Sequence, residues 1–203
     1  MPMNLQRLIG RTVNATDGKI GRLSDALLDD REWKVRYLAV STGFWPFRRR
    51  VVVLPKHVSG LPTEENSLEV SLTREDVKKS PPLSRKQPVS QVQEKQFHDY
   101  YQVPVYWSGT AAWEGTYDPG AMPKSGGHLI GYTVKAADEP VGKLTDMLFD
   151  TEEWQTARFI IHRSEAPQDL WVPVDSVREV SWIESAIRLE ATADLNEYTG
   201  PET

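Results

Sequence analysis

The 203-residue chain has no cysteine, which removes disulfides, thiolate nucleophiles and sulfur-ligated zinc together and leads to the expectation of a reducing, cytoplasmic setting. No window approaches the ~20 apolar residues a membrane-spanning helix needs, so no membrane span is expected. The residues before Leu8 lack the basic start and apolar run of a secretory signal, and none is expected. Histidine is scarce too. His57, His98, His128 and His162 fall in four separate segments without H-x-x-x-H or similar spacing, and no metal is assigned to them. There is no G-x-S-x-G elbow, no P-loop and no G-x-G-x-x-G string, so the reading assigns no catalytic residue, no cofactor and no enzymatic activity.

What the chain does have is an internal repeat. "LIGRTVNATDGKIGRLSDALLDDREW", Leu8 to Trp33, aligns without a gap on "LIGYTVKAADEPVGKLTDMLFDTEEW", Leu129 to Trp154, at a constant offset of 121. From Gly21 to Asp29 every odd-numbered residue is identical in the two copies, while the even ones are only similar. Period two predicts a strand. "TDG" at Thr16–Gly18 predicts the tight turn feeding it, with Gly18 at positive φ, and Asp138-Glu139-Pro140 in the second copy requires a different turn.

Further strands are predicted at 34–41 and 155–162, at 51–58 and 170–177, and at 67–72 and 186–191, a spacing that indicates a small barrel or sandwich. Thr73 with Asp76 has the spacing of a helix cap, and Pro81 and Pro82 stop that helix. Thr192 opens the parallel segment, where Leu195 stands in place of the acid and weakens the cap. The predicted organisation is therefore a module at 1–80, a connector at 81–127 and a second module at 128–203. Within the connector, Ser90 and Gln93 form a capping-box pair that opens a short helix. Tyr100, Tyr101, Tyr106, Trp107, Trp113 and Tyr117 follow, too aromatic for a free linker, and the expectation is that they pack on a barrel.

Charge is unevenly placed: residues 1–80 carry a net +4 and residues 128–203 a net −9. Surfaces of opposite sign attract, within one chain or head to tail between chains, so a homo-oligomer is an open expectation.

The pattern "IG.TV.A.DG.IG.L.D.L.D...W", followed by a β-branched strand and a "V.LP" strand, resembles the PRC-barrel family, which includes the cytoplasmic domain of the photosynthetic reaction-centre H subunit and the carboxy-terminal domain of a ribosome maturation factor. The layout as a whole looks like the bacterial tandem PRC-barrel proteins. The resemblance implies an all-β fold: two small PRC-type β-barrels in tandem, each with a short C-terminal helix, joined by the aromatic-rich connector with its short helix. It also implies a module that docks on other macromolecules, and by family analogy alone an association with electron transport like that of the H subunit.

Two groups of residues invite a functional reading. Asp25, Asp29, Asp30 and Glu32, with Asp146, Asp150, Glu152 and Glu153, are dense in carboxylates but lack the ligand order of a calcium loop. They are read as strand ends and turns whose carboxylates accept backbone or arginine hydrogen bonds. "TGFWPFRRR", Thr42 to Arg50, is absent from the second copy. Its Phe44, Trp45, Phe47, Arg48, Arg49 and Arg50 suit a protein patch with Trp and Arg anchors, RNA, or an anionic membrane surface, unless the tip simply folds back on the barrel. The leading expectation is a non-catalytic interaction or assembly module that docks on a protein partner or self-associates. The alternative is an RNA- or ribosome-associated factor that uses the Arg48–Arg50 loop.

Overall fold

The computed structural model describes residues 2–43, 49–61, 67–84, 89–106, 122–164, 166–190 and 195–200. In chain order the elements are β1 (Pro2–Asn4), α1 (Leu5–Leu8), β2 (Thr12–Ala15), β3 (Gly18–Asp29), β4 (Lys34–Thr42), β5 (Arg49–Val53), β6 (Val58–Gly60), β7 (Ser67–Val70), α2 (Arg74–Lys79) and α3 (Gln91–Tyr101). There follow β8 (Lys124–Ser125), α4 (Gly126–Leu129), β9 (Thr133–Ala136), β10 (Glu139–Asp150), β11 (Gln155–His162), β12 (Leu170–Pro173), β13 (Val177–Ser181) and β14 (Ala186–Leu189). The fold is mostly β, with both parallel and antiparallel strand pairs. No helix among the described residues is long and apolar enough to cross a membrane.

Contacts divide the chain into two compact units, and the division is not linear in sequence. The amino-terminal unit comprises Ile9–Arg31 and Val35–Ser125; the carboxy-terminal unit comprises Met1–Leu8, Glu32–Lys34 and Gly126–Thr203.

In the amino-terminal unit β2 and β3 form a hairpin closed at Ala15 and Gly18, and β2 pairs in parallel with β7 from Thr12 opposite Ser67. Gly18 takes the positive φ expected of it, 122°. Gly21 is required for a different reason, since a Cβ there would run into the carbonyl oxygen of Ser41. The second half of β3 is buried without interruption from Asp25 to Asp29, so it is covered on both faces and not on one face alone. Its core gathers Leu27, Tyr37, Ala39 and Val52 from the sheet and Leu54 just past β5 with Leu83, Val89 and Phe97 from the segment after α2. That segment is part of this unit's interior, because a strand face this apolar is stabilised only when something covers it.

The carboxy-terminal unit repeats the pairing plan: β9 and β10 form a hairpin, β9 runs parallel to β14, and β10, β11 and β12 follow in antiparallel order. Its turn differs as expected, for Ala137 and Asp138 both take positive φ, 48° and 66°. Two left-handed residues in succession match the right-handed twist of a two-residue hairpin without a glycine in either place. Bulges after Leu144 and Leu148 shift the register of β10. Met147 and Phe149 are therefore buried, while Asp146 and Leu148 are half-buried. Trp33 belongs to this unit, is buried edge-on against Phe159 at 4.9 Å, and has a φ of 54°. Trp154, its counterpart in the repeat, has a φ of 55°. A left-handed bulky residue is strained, and burial of the ring offsets that strain.

Two sequence expectations are corrected. The run 51–58 is not one strand, since β5 stops at Val53 and a 3-10 turn, Pro55–His57, precedes β6. Proline fixes φ and has no N–H for the ladder, so the strand breaks there. The run 170–177 breaks in the same way at Pro173, before a 3-10 turn at Val174–Ser176. The Ser90–Gln93 capping box is only half formed: the Ser90 hydroxyl accepts from Gln93 N, but the Gln93 amide donates to Pro82 O at 2.9 Å. The Thr73–Asp76 box is complete. The carboxy-terminal unit ends in a 3-10 turn, Leu195–Tyr198, and Thr192 lies outside the described residues.

Candidate functional site

In the amino-terminal unit the start of β3, the end of β4, the start of β5 and one side of α2 surround a cleft of about 640 Å³. Lys19, Arg49, Arg74 and Lys78 line it with Ile20, Gly21, Thr42 and Gly43, and no carboxylate is among the described lining residues. Each cation is exposed. The Arg49 guanidinium is held in place, donating to Lys78 O at 2.6 Å and Ser80 O at 2.7 Å. The side-chain charges of Lys19, Arg74 and Lys78 have no ion pair among the described residues. A smaller groove beside it, lined by Asp17, Arg74, Glu75 and Lys78, adds acid. Asp17 accepts from Arg74 N, and Glu75 pairs with Lys79 at 2.6 Å.

The hairpin singled out in the sequence grows from this place. Phe44, Trp45, Phe47 and Arg48 lie outside the described residues, but Gly43 and Arg49, on either side, both line the cleft. The three arginines are not equivalent. Arg49 caps the carbonyl end of α2, and Arg50, on β5, lies 3.7 Å from the buried Asp25.

A second group of polar residues lies inside the unit, between β4 and α3. Helix α3 starts at the Ser90 cap and ends at Gln102, whose φ is 51°. Phe97 turns into the core, and Glu94 and His98, four residues apart, lie one turn from each other on the same side. Tyr37 Oη donates to Glu94 Oε1 at 2.8 Å and lies 2.9 Å from His98 Nε2. Tyr106 Oη donates to the same Glu94 oxygen at 2.7 Å, and His98 Nδ1 lies 2.8 Å from Pro104 O. Glu94 is 1% exposed, and burial pushes its carboxyl up to about 7. Burial, with the Glu94 charge adding to it, holds the Tyr37 and Tyr106 hydroxyls well above the usual tyrosine range.

The aspartates singled out in the two repeats act structurally. Asp25 accepts from Ser125 Oγ at 2.6 Å, and Asp29 accepts from Arg31 N at 2.9 Å and pairs with Arg36 at 2.8 Å. Asp30 pairs with Lys124. Asp146 accepts from the Asn4 amide and from Gln6 N. Asp150 accepts from the backbone of Glu152 and Glu153, which lowers its pKa. His57, His128 and His162 stand apart from the Glu94 group: His57 packs on Tyr101, His128 on Tyr132 and Trp182, and His162 pairs with Asp169.

Sequence reading missed the Glu94–His98 pair and the cleft. The available signal was the i, i+4 spacing of Glu94 and His98 on a helix that opens an aromatic-rich segment. Nothing local announced Tyr37 as their partner, and the four cations of the cleft come from three separate elements, β3, β5 and α2.

A search among curated proteins finds no match. Residues 3–77 match the family model of the PRC-barrel domain. They span β1 to α2, including every strand that frames the cleft. The chain carries a PRC-barrel domain over that stretch.

Proposed function

We propose that the chain is a non-catalytic interaction and assembly module of two tandem PRC-type barrels, and that the first barrel takes an acidic segment of a protein partner in the Lys19–Arg49–Arg74–Lys78 cleft. The observation that carries this reading is the cleft itself, which gathers four cations and, among the described residues, no carboxylate, where the segment bearing Phe44, Trp45 and Phe47 leaves and rejoins the sheet. Such an arrangement suits carboxylates flanked by an apolar anchor. An RNA partner would draw on the Arg48–Arg50 run, in which Arg50 lies 3.7 Å from the buried Asp25.

The test is fluorescence anisotropy with two labelled probes, a Glu/Asp-rich peptide carrying one aromatic residue and a single-stranded RNA of the same charge. The peptide should bind in a salt-dependent way and should be released when Lys78 is changed to Glu. Tighter binding of the RNA, with the same sensitivity to Lys78→Glu, would move the reading to nucleic acid, and binding of neither probe would remove it.

A further inference from the structure

The group beneath α3 contains a proton-counting problem. Tyr37 has one hydroxyl proton and two buried neighbours able to take it, Glu94 Oε1 at 2.8 Å and His98 Nε2 at 2.9 Å. The other ring nitrogen of His98 must be a donor, because the Pro104 carbonyl oxygen 2.8 Å away can only accept. Tyr106 already gives its proton to Glu94 Oε1. An ionised Glu94 beside a neutral His98 therefore leaves one of the two Tyr37 contacts as two lone pairs facing each other, a costly arrangement out of water.

One more proton removes the conflict in either of two ways. Placed on Glu94, it is donated to Tyr37 Oη, and the Tyr37 hydroxyl donates to His98 Nε2. Placed on His98 Nε2, it is donated to Tyr37 Oη, and the Tyr37 hydroxyl donates to Glu94. Both arrangements satisfy every contact, and they differ only by a shift of protons along Glu94–Tyr37–His98.

We propose that Glu94 and His98 hold one proton in common, relayed through the Tyr37 hydroxyl, and that this proton fastens α3 to β4. The charged neighbours do not replace it. Arg36, from β4, lies over the Tyr106 ring at 3.9 Å and pairs with Asp29 of β3 at 2.8 Å. Neither is in the relay, nor are the other charged or titratable groups that face α3, for His57 packs on Tyr101 and Tyr100 meets Asp76 O beside Lys79 and Glu75; Val89, Leu83, Leu27, Ala39, Val52 and Leu54 cluster with Phe97. Tyr101, also on α3, turns its hydroxyl to Val52 O at 2.6 Å. Loss of the shared proton leaves this part of the interface with an unmatched contact, and α3 is the element able to move away from it.

The experiment uses the full chain labelled with ¹³C at glutamate carboxyls and ¹⁵N at histidine, followed by infrared and NMR spectroscopy between about pH 5 and pH 8, with amide hydrogen exchange of α3 over the same range. At neutral pH the wild type should show either a protonated Glu94 carboxyl or a doubly protonated His98. The two signals should lose their proton in one common step, and intrinsic-rate-corrected protection of α3 should fall with that step by up to about tenfold per pH unit, the slope for one proton. Glu94→Gln supplies a permanent donor and should make α3 protection independent of pH. Tyr37→Phe cuts the relay and should split the common step into two independent titrations, so it decides the matter even if the glutamine variant folds poorly. A neutral-pH wild type with an ionised Glu94 and a neutral His98 would overturn the proposal. So would a Tyr37→Phe protein whose two groups still titrate together, or a proton lost with no change in α3 protection.

Discussion

Gly21 lies so close to the carbonyl of Ser41 that no side chain fits between them, and Gly142 stands in the same relation to His162. The alternation of the long strands thus has a hole at the same point of both repeats, where a neighbouring backbone passes.

Gly21→Ala should destabilise the amino-terminal unit by roughly 1–3 kcal/mol, because the methyl group meets backbone and not a flexible side chain that can turn aside. Thermal or denaturant unfolding of the full chain measures it. An unchanged midpoint would mean that β3 and β4 part there without cost.

The Glu94 carboxyl has a folded-state pKa of about 7 against an ordinary value of 4.5. A raised value means that the folded state holds the proton more tightly, so this stabilising contribution is complete below about pH 4.5 and is lost as pH rises through about 7. The loss is on the order of 3 kcal/mol at most. The difference in unfolding free energy between wild type and Glu94→Gln, followed from pH 4.5 to 8, should carry this slope. A difference that is flat with pH would contradict the assignment.

Lys124 Nζ lies 2.6 Å from Asp30 Oδ2, with the two side chains only 9% and 11% exposed. Lys124→Met removes the cation and leaves a buried carboxylate, which costs about 3 kcal/mol. Asp30→Asn in the same chain should recover part of that loss. A single substitution without effect on unfolding would show that β8 adds no stability through this pair.

Trp45 lies outside the described residues, but its hairpin starts and ends at the cleft. As an anchor for a partner, its change to Ala should weaken binding by about 2 kcal/mol while leaving the melting temperature in place. Early melting with normal binding would instead mark a ring packed on its own fold.

Much of the architecture is legible in the residues because it depends on local chemistry. The two-residue period from Gly21 to Asp29 locates β3, Thr73 and Asp76 build the cap of α2, and Gly18 takes the conformation a side chain resists. Pro55 and Pro173 were equally visible, and reading them as strand breaks would have placed the 3-10 turns. The candidate site was less legible. Glu94 and His98 can be seen to share a helix face, yet the hydroxyl between them belongs to Tyr37, 57 residues before Glu94. Arg49 and Arg50 are adjacent in sequence, and the strand they share sends one to the end of α2 and the other toward Asp25.

By itself the sequence determined the repeat, the place of its long strands, the turn at Gly18 and the Thr73 cap, since each follows from the conformational preferences of a few neighbouring residues. Only the tertiary structure decided that Met1–Leu8 and Glu32–Lys34 join the carboxy-terminal unit, that the segment after α2 closes the core over Leu27 and Tyr37, and that Lys19, Arg49, Arg74 and Lys78 face one cleft. These outcomes depend on which apolar faces cover each other and on where distant charges are brought together. Burial and electrostatics act through space, so their partners are fixed only when the chain has folded.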